Sequence, residues 1–211
     1  MYEAENELKI HDVYTQIGAS NHSVYGDIRE KDNFYSTDPI AIDLLFTREK
    51  QKFIGKKILE PMCGDGSLSK RLEQLLNVNV DSYDLFDRGY GVGDTDYLTT
   101  DFRDKYDIII TNPPYCTDTV DMIIKAIHDV KQNGIVYMFL KLTFLETWDR
   151  YSKLYIKYPP SRIYQFVERL RCARGGGDNF EPSAIAYTWQ VWDTNAINQN
   201  TELLWLTKRG L

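Results

Sequence analysis

KKILE (Lys56 to Glu60), PMCGDG (Pro61 to Gly66) and SLSKRLEQLL (Ser67 to Leu76) follow one another without a break. Ile58 and Leu59 form the apolar centre of a short strand. Pro61 and the two glycines close it, because glycine accepts the left-handed backbone that a tight turn requires. Leu68, Leu72, Leu75 and Leu76 then recur at helical spacing. VNVDSYDL, from Val78 to Leu85, alternates as a second strand does. A strand, a helix and a strand in that order make a right-handed parallel unit.

The same alternation continues outward. Upstream, Asp38 and Pro39 suit the start of a helix that runs through IAIDLLF. Downstream, RGYGVGD reads as a glycine-rich loop and YDIIIT (Tyr106 to Thr111) as a buried strand ending at Asn112-Pro113-Pro114-Tyr115. A helix is expected over Val120 to Lys131, a strand over Gly134 to Lys141, and a helix over Phe144 to Tyr155 that Pro159-Pro160 terminates. Two closing strands, Arg162 to Leu170 and Ser183 to Trp192, have no helix between them and should pair antiparallel. The whole reads as an α/β fold: a doubly wound, mainly parallel sheet with a terminal antiparallel pair. Residues 1–33 read as a polar N-terminal arm, and residues 34–211 as a single domain.

Composition fits this reading. The 211 residues are 43% hydrophobic and 27% charged, ordinary for a globular domain. No apolar run approaches the roughly 20 residues that span a bilayer. The acidic start, MYEAENELKI, lacks the apolar centre of a signal peptide, so a cytoplasmic location is expected. Cys63, Cys116 and Cys172 are far apart, and His11, His22 and His128 have no ligand spacing, so neither a disulfide framework nor a metal site is expected. Net charge is -6, yet from Tyr151 to Leu211 eight basic residues face five acidic ones, a balance of +3. Arg169, Arg171 and Arg174 fall in this stretch and can meet phosphates locally; a solvated basic face is the plain alternative.

Four features carry chemistry. The Glu60-to-Gly66 turn puts glycine backbone and a helix N-terminus where a ligand can approach, although it lacks the full GxGxxG dinucleotide pattern. Asp84 ends the next strand, where an acid accepts hydrogen bonds from ribose hydroxyls; Asp87 is a rival. Asp101-Phe102 offers an acid and an apolar face for an adenine ring, or equally a turn residue beside a core residue. The strongest is Asn112-Pro113-Pro114-Tyr115 at the carboxyl end of a central strand, the edge where open α/β sheets bind ligands. Proline stiffens the turn and removes donors. What remains is an acceptor-rich corner: the Asn112 side-chain oxygen, the Pro113 carbonyl and the Tyr115 ring. It suits a planar group bearing an amine.

Together, the EPxCGxG turn and NPPY resemble class I S-adenosylmethionine-dependent amino-methyltransferases, whose familiar members modify adenine in DNA. GASNHS (Gly18 to Ser23), NFYSTDP (Asn33 to Pro39), FLKLTFLE (Phe139 to Glu146), YPP (Tyr158 to Pro160) and SAIAYTWQVW (Ser183 to Trp192) look like small phage and prophage proteins of this kind. The resemblance implies a seven-stranded Rossmann-like methyltransferase sheet and S-adenosylmethionine as cofactor. It implies that Phe34, Tyr35, Ser36, Thr37 and Pro39 close over the methionine part, and that Glu60, Pro61, Cys63, Gly64 and Gly66 form the cofactor loop. Asp84 matches the ribose acid and Asp101-Phe102 the adenine pair. Asn112, Pro113, Pro114 and Tyr115 match the catalytic motif. Phe180 matches an aromatic that packs on an extruded base in some relatives.

The expected activity is methyl transfer to an exocyclic amine, with adenine N6 in DNA as first choice. RNA adenine, cytosine and protein glutamine amides are alternative acceptors. A phage protein that binds cofactor or DNA without turnover is the alternative of another class. The chain has no room for a separate target-recognition domain, so a homodimer or a partner subunit is expected to help choose the target.

Overall fold

The computed structural model describes residues 35–174, 181–182, 184–196 and 200–209. The N-terminal arm, Phe34 and Phe180 lie outside them.

Seven strands form one sheet in the order β10-β6-β9-β5-β4-β2-β3. They are β2 (Ile58–Glu60), β3 (Asp81–Ser82), β4 (Ile108–Thr111), β5 (Ile135–Lys141), β6 (Arg162–Phe166), β9 (Tyr187–Asp193) and β10 (Glu202–Leu206). β3, β2, β4 and β5 are mutually parallel. β9 is antiparallel to both its neighbours, β5 and β6. β10 adds a parallel edge strand to β6. A second sheet has the order β1-β7-β8, with β1 at Tyr35–Thr37, β7 at Arg171–Arg174 and β8 at Glu181–Pro182.

The main sheet is covered on both faces, which follows from its sequence. Helix α1 (Ile40–Phe53) and α2 (Ser67–Leu76) meet one face, where Ile58, Ile108, Ile110, Tyr137, Phe139, Trp189 and Val191 are buried. α3 (Thr119–Asp129) meets the other, against Leu59, Ile109, Val136, Met138, Leu140 and Trp192. Consecutive strand residues thus go to opposite cores, so these strands read as unbroken apolar runs and not as alternation. The helices expected at α1, α2 and α3 and the antiparallel closing pair are observed.

A buried ionic group ties α1 to the sheet. Glu49 of α1, 3% exposed, accepts from the Tyr137 hydroxyl at 2.8 Å and from the Tyr164 hydroxyl, and contacts Arg162 Nε at 3.0 Å. Arg162 also meets Asp193 at 3.5 Å, and Lys52 reaches Asp193 at 3.2 Å.

Three elements differ from expectation. The strand over Val78 to Leu85 pairs formally only at Asp81–Ser82, with one further bridge from Tyr83 to Val92. It is an edge strand with a single ladder partner. The helix over Phe144 to Tyr155 is instead a 3-10 turn (Leu142–Leu145), a short α4 (Trp148–Arg150) and a π-helical turn (Tyr151–Tyr155). Thr147 interrupts it with φ at +82°, a conformation a β-branched residue adopts only under constraint. The strand over Arg162 to Leu170 stops at Phe166, and the chain returns to the second sheet at Arg171 as β7. Among the described residues, no helix is long and apolar enough to cross a membrane.

Candidate active site

The carboxyl ends of β2, β3 and β4 open on one cavity of about 340 Å³. It lies where the chain, having built β2 and β3 in one direction, returns to build β4 and β5 in the other. That reversal leaves a crevice at the strand ends.

The glycine turn forms one wall. Gly64 adopts φ +57° and lines the cavity with Pro61, Met62, Cys63 and Asp65. Gly64 N donates to Asp84 Oδ2 at 2.8 Å. Asp84 Oδ1 accepts from Phe86 N at 3.0 Å and faces Arg88 Nε at 3.6 Å. The acid at the end of β3 is therefore joined to the turn at the end of β2, and both face the cavity. Asp87 is exposed, accepts from Gly89 N at 2.9 Å, and is not among the lining residues. Gly66 has a different reason to be glycine. At φ +79°, a Cβ there would sit 2.2 Å from the Tyr90 ring, so Gly66 makes room for an aromatic rather than for the cavity.

Glu60, 1% exposed, accepts from Ser69 N at 2.9 Å and from the Ser69 hydroxyl. It caps the first turn of α2, whose amides have no partner within the helix. Burial pushes its carboxyl well above the ordinary range. Hydrogen bonds from Ser69 oppose that push, and the nearby carboxylates of Asp65 and Asp84 add to it. Burial likewise raises the Cys63 thiol, which stays protonated and inert.

β1 forms the second wall. The Ser36 hydroxyl donates to Asp65 Oδ2, and Ser67 Oγ donates to Asp65 Oδ1 at 2.6 Å. Thr37, 3% exposed, accepts from Asn112 Nδ2 at 2.9 Å through Oγ1. Pro39 precedes α1 and does not line the cavity; the Asp38 side chain caps the helix by accepting from Ile40 N at 3.1 Å.

The third wall is the corner after β4, with Asn112, Pro113, Pro114 and Tyr115 all lining the cavity. The buried Thr119 hydroxyl donates to Pro114 O at 2.6 Å and so ties the corner to the start of α3. Among the described residues, no hydrogen bond to the Pro113 carbonyl is found. Tyr115 shares its one hydroxyl hydrogen between Asn112 Oδ1 at 3.3 Å and Phe139 O at 3.1 Å. The Lys141 ammonium lies 4.4 Å from the centre of its ring, so one aromatic face meets a cation.

Asp101 and Phe102 are not brought to this cavity. Asp101 is exposed and accepts from Arg103 N at 3.1 Å, and Phe102 is buried against Tyr83, Tyr97 and Tyr106. Asp96 and Tyr97, five residues earlier, line it instead, together with Leu85, Phe86, Arg88 and Thr95. An acid followed by an aromatic occurs at both places, and the earlier pair was available to the same reasoning. Arg169 and Arg171 are exposed, outside the cavity. The backbones of Arg171 to Arg174 form β7, which pairs with β1 through Ser36↔Ala173 and Thr37↔Cys172. No group of three or more metal-ligating side chains occurs among the described residues.

No protein-family model matches the chain, and no curated protein sequence matches it significantly. Solved structures do. A Listeria monocytogenes protein assigned as a class I S-adenosylmethionine-dependent methyltransferase superposes with a TM-score of 0.58 at 16% identity, covering 89% of this chain and 68% of its own. The methyltransferase subunit of a type I restriction-modification system from Streptococcus thermophilus gives 0.58 at 13% identity, over 81% of this chain and 47% of that one. A modification subunit assigned to a type I restriction enzyme of Vibrio vulnificus gives 0.52 at 16% identity, over 93% and 50%. This chain thus spans about half the length of those two subunits. The likeness is one of architecture: the chain has the Rossmann-like α/β fold of these methyltransferases.

Proposed function

We propose that this chain is a methyltransferase that uses S-adenosylmethionine to methylate an exocyclic amine, with adenine N6 in DNA as the first-choice acceptor. The observation that carries the reading is that the Asn112–Tyr115 corner, the Gly64 turn and Asp84 all face one cavity.

The lining fits that cofactor. Asp65, Asp84, Asp96 and Asp118 line the cavity against a single arginine, Arg88, itself paired with Asp84. A negative lining favours a sulfonium with its ammonium group and disfavours the pyrophosphate of a dinucleotide. In this reading Asp84 meets the ribose hydroxyls, Asp96 and Tyr97 the adenine edge and face, and Ser36 with Asp65 the amino-acid end, all of them residues that line the cavity. When bound, the cofactor supplies a methyl group that is already activated.

The residues of the chain then have to orient the acceptor and exclude water. Asn112 Oδ1 and the Pro113 carbonyl can accept the two amine hydrogens, which turns the nitrogen lone pair out of conjugation and toward the cavity. Tyr115 holds Asn112 by its hydroxyl and borders the acceptor with its ring. A base in duplex must leave the stack to reach this corner. Two of the similar structures are restriction-modification subunits, which favours DNA and a partner subunit that assists target choice.

The test supplies purified protein with methyl-labelled S-adenosylmethionine and DNA, RNA or protein from cells that lack adenine methylation. Label appearing as N6-methyladenine in digested DNA is the expected result. Label confined to RNA or protein moves the acceptor. Cofactor binding with no labelled polymer overturns the enzymatic reading.

A further inference from the structure

β1 joins two walls of the cavity through consecutive side chains. Ser36 reaches Asp65 of the glycine turn, and Thr37 reaches Asn112 of the corner after β4. The backbone that carries them is itself held, by antiparallel pairing with β7 on one side and by the start of α1 on the other. Thr37 is 3% exposed, and its hydroxyl sits 2.9 Å from Asn112 Nδ2. The opposite end of the same amide, Oδ1, meets the Tyr115 hydroxyl at 3.3 Å.

An asparagine amide has nearly the same shape whichever end faces a site, yet one end donates and the other accepts. An acceptor amine needs the oxygen end. Contacts at both ends fix the plane of the amide. We infer that Thr37 is a positioning residue: its hydroxyl takes the N–H end of Asn112 and keeps Oδ1 available to the acceptor. Thr37 thus acts on the transfer step through Asn112, and not on cofactor affinity. The kinetic part of this inference rests on the methyltransferase reading, and the spectroscopic part does not.

The experiment compares Thr37→Val, which keeps shape and removes the hydroxyl, with Thr37→Ser, which keeps the hydroxyl. Three quantities are measured: calorimetric affinity for S-adenosylhomocysteine, single-turnover transfer to adenine-containing DNA at saturating cofactor, and the Asn112 side-chain amide resonance of ¹⁵N-labelled protein. That resonance is identified by its loss in Asn112→Asp. Thr37→Val should slow transfer by about tenfold to a hundredfold while product affinity stays within about twofold, since a small misplacement of a reacting group costs on that order. Its Asn112 resonance should move and its amide hydrogens exchange faster with water. Thr37→Ser should restore both rate and resonance. Wild-type rate with an unmoved resonance in Thr37→Val overturns the inference. So does a rate loss accounted for by weakened cofactor affinity, which would make Thr37 a cofactor ligand. If the wild-type protein methylates no polymer, the methyltransferase reading falls. The resonance then decides alone: shifted in Val and restored in Ser supports the role of Thr37, and unmoved overturns it.

Discussion

Tyr115 carries two separable roles, because its ring and its hydroxyl meet different partners. The ring borders the cavity and has Lys141 over one face. The hydroxyl reaches Asn112 Oδ1 and Phe139 O. A ring-only role makes Tyr115→Phe harmless; the observed contacts predict that this variant loosens Asn112 and slows transfer. Asn112→Ala should be worse, by ~10²–10³ in rate, with cofactor affinity near normal, since loss of one preorganised polar contact has that size. Single-turnover rates with saturating cofactor check both, and a fully active Asn112→Ala would return NPPY to the status of a stiff turn. Glu60 gives a prediction in pH. Its folded carboxyl is raised far above the ordinary 4.5 by burial, so the folded state binds this proton more tightly than the unfolded state does. The sign follows: stability from this group is present at low pH and is lost as pH rises from near 4.5 toward the raised folded value. Denaturant unfolding followed from about pH 5 to pH 8 should show that decline in the wild type and a flatter profile in Glu60→Gln.

At the scale of elements, the stretch between β3 and β4 holds the main surprise. It contains two acid–aromatic pairs, Asp96-Tyr97 and Asp101-Phe102, and both aromatics are buried, at 3% and 4% exposure. Hydrophobic pattern cannot separate them. What separates them is where the loop leads the acids: Asp96 lines the cavity and Asp101 is exposed, while both rings join the core that α3 covers. Asp96→Ala should therefore weaken S-adenosylhomocysteine binding in calorimetry, and Asp101→Ala should not; the reverse result would restore the later pair. Elements with strong local signals were legible: α1, α2, α3, β4 and β5 stand where apolar spacing placed them. The failures have separate causes, one local and the others long-range. Thr147 breaks a helix that periodicity alone would continue, and β10 and the second sheet depend on pairings far apart in sequence. Of the site, the glycine turn, Asp84 and NPPY were readable because each ends a strand. The contacts that join them, through Thr37 and Ser36, were not, because they bridge long separations.

For the molecule as a whole, charge is distributed rather than balanced. The cavity lining is acidic, while Arg169, just before β7, and Arg171, its first residue, are exposed on the strand that pairs with β1 and the segment before it. A polyanion can therefore be held next to a cavity that would itself repel phosphate. Polymer binding should fall steeply with salt, and replacing each of these arginines should flatten the log-log slope by about one unit. Binding titrations across a salt series check this, and an unchanged slope would leave the arginines as a solvated face. The position of β9 has a consequence for how the chain reaches this state at all. β9 lies between β5 and β6 and hydrogen-bonds to both, yet it follows both in the chain. Until residues 187–193 emerge during synthesis, β5 and β6 each present an open edge at what will become the middle of the sheet. The nascent protein must hold these edges apart for the time taken to make that last central strand, which is when a chaperone would matter most and when a premature stop would leave a half-sheet prone to aggregate.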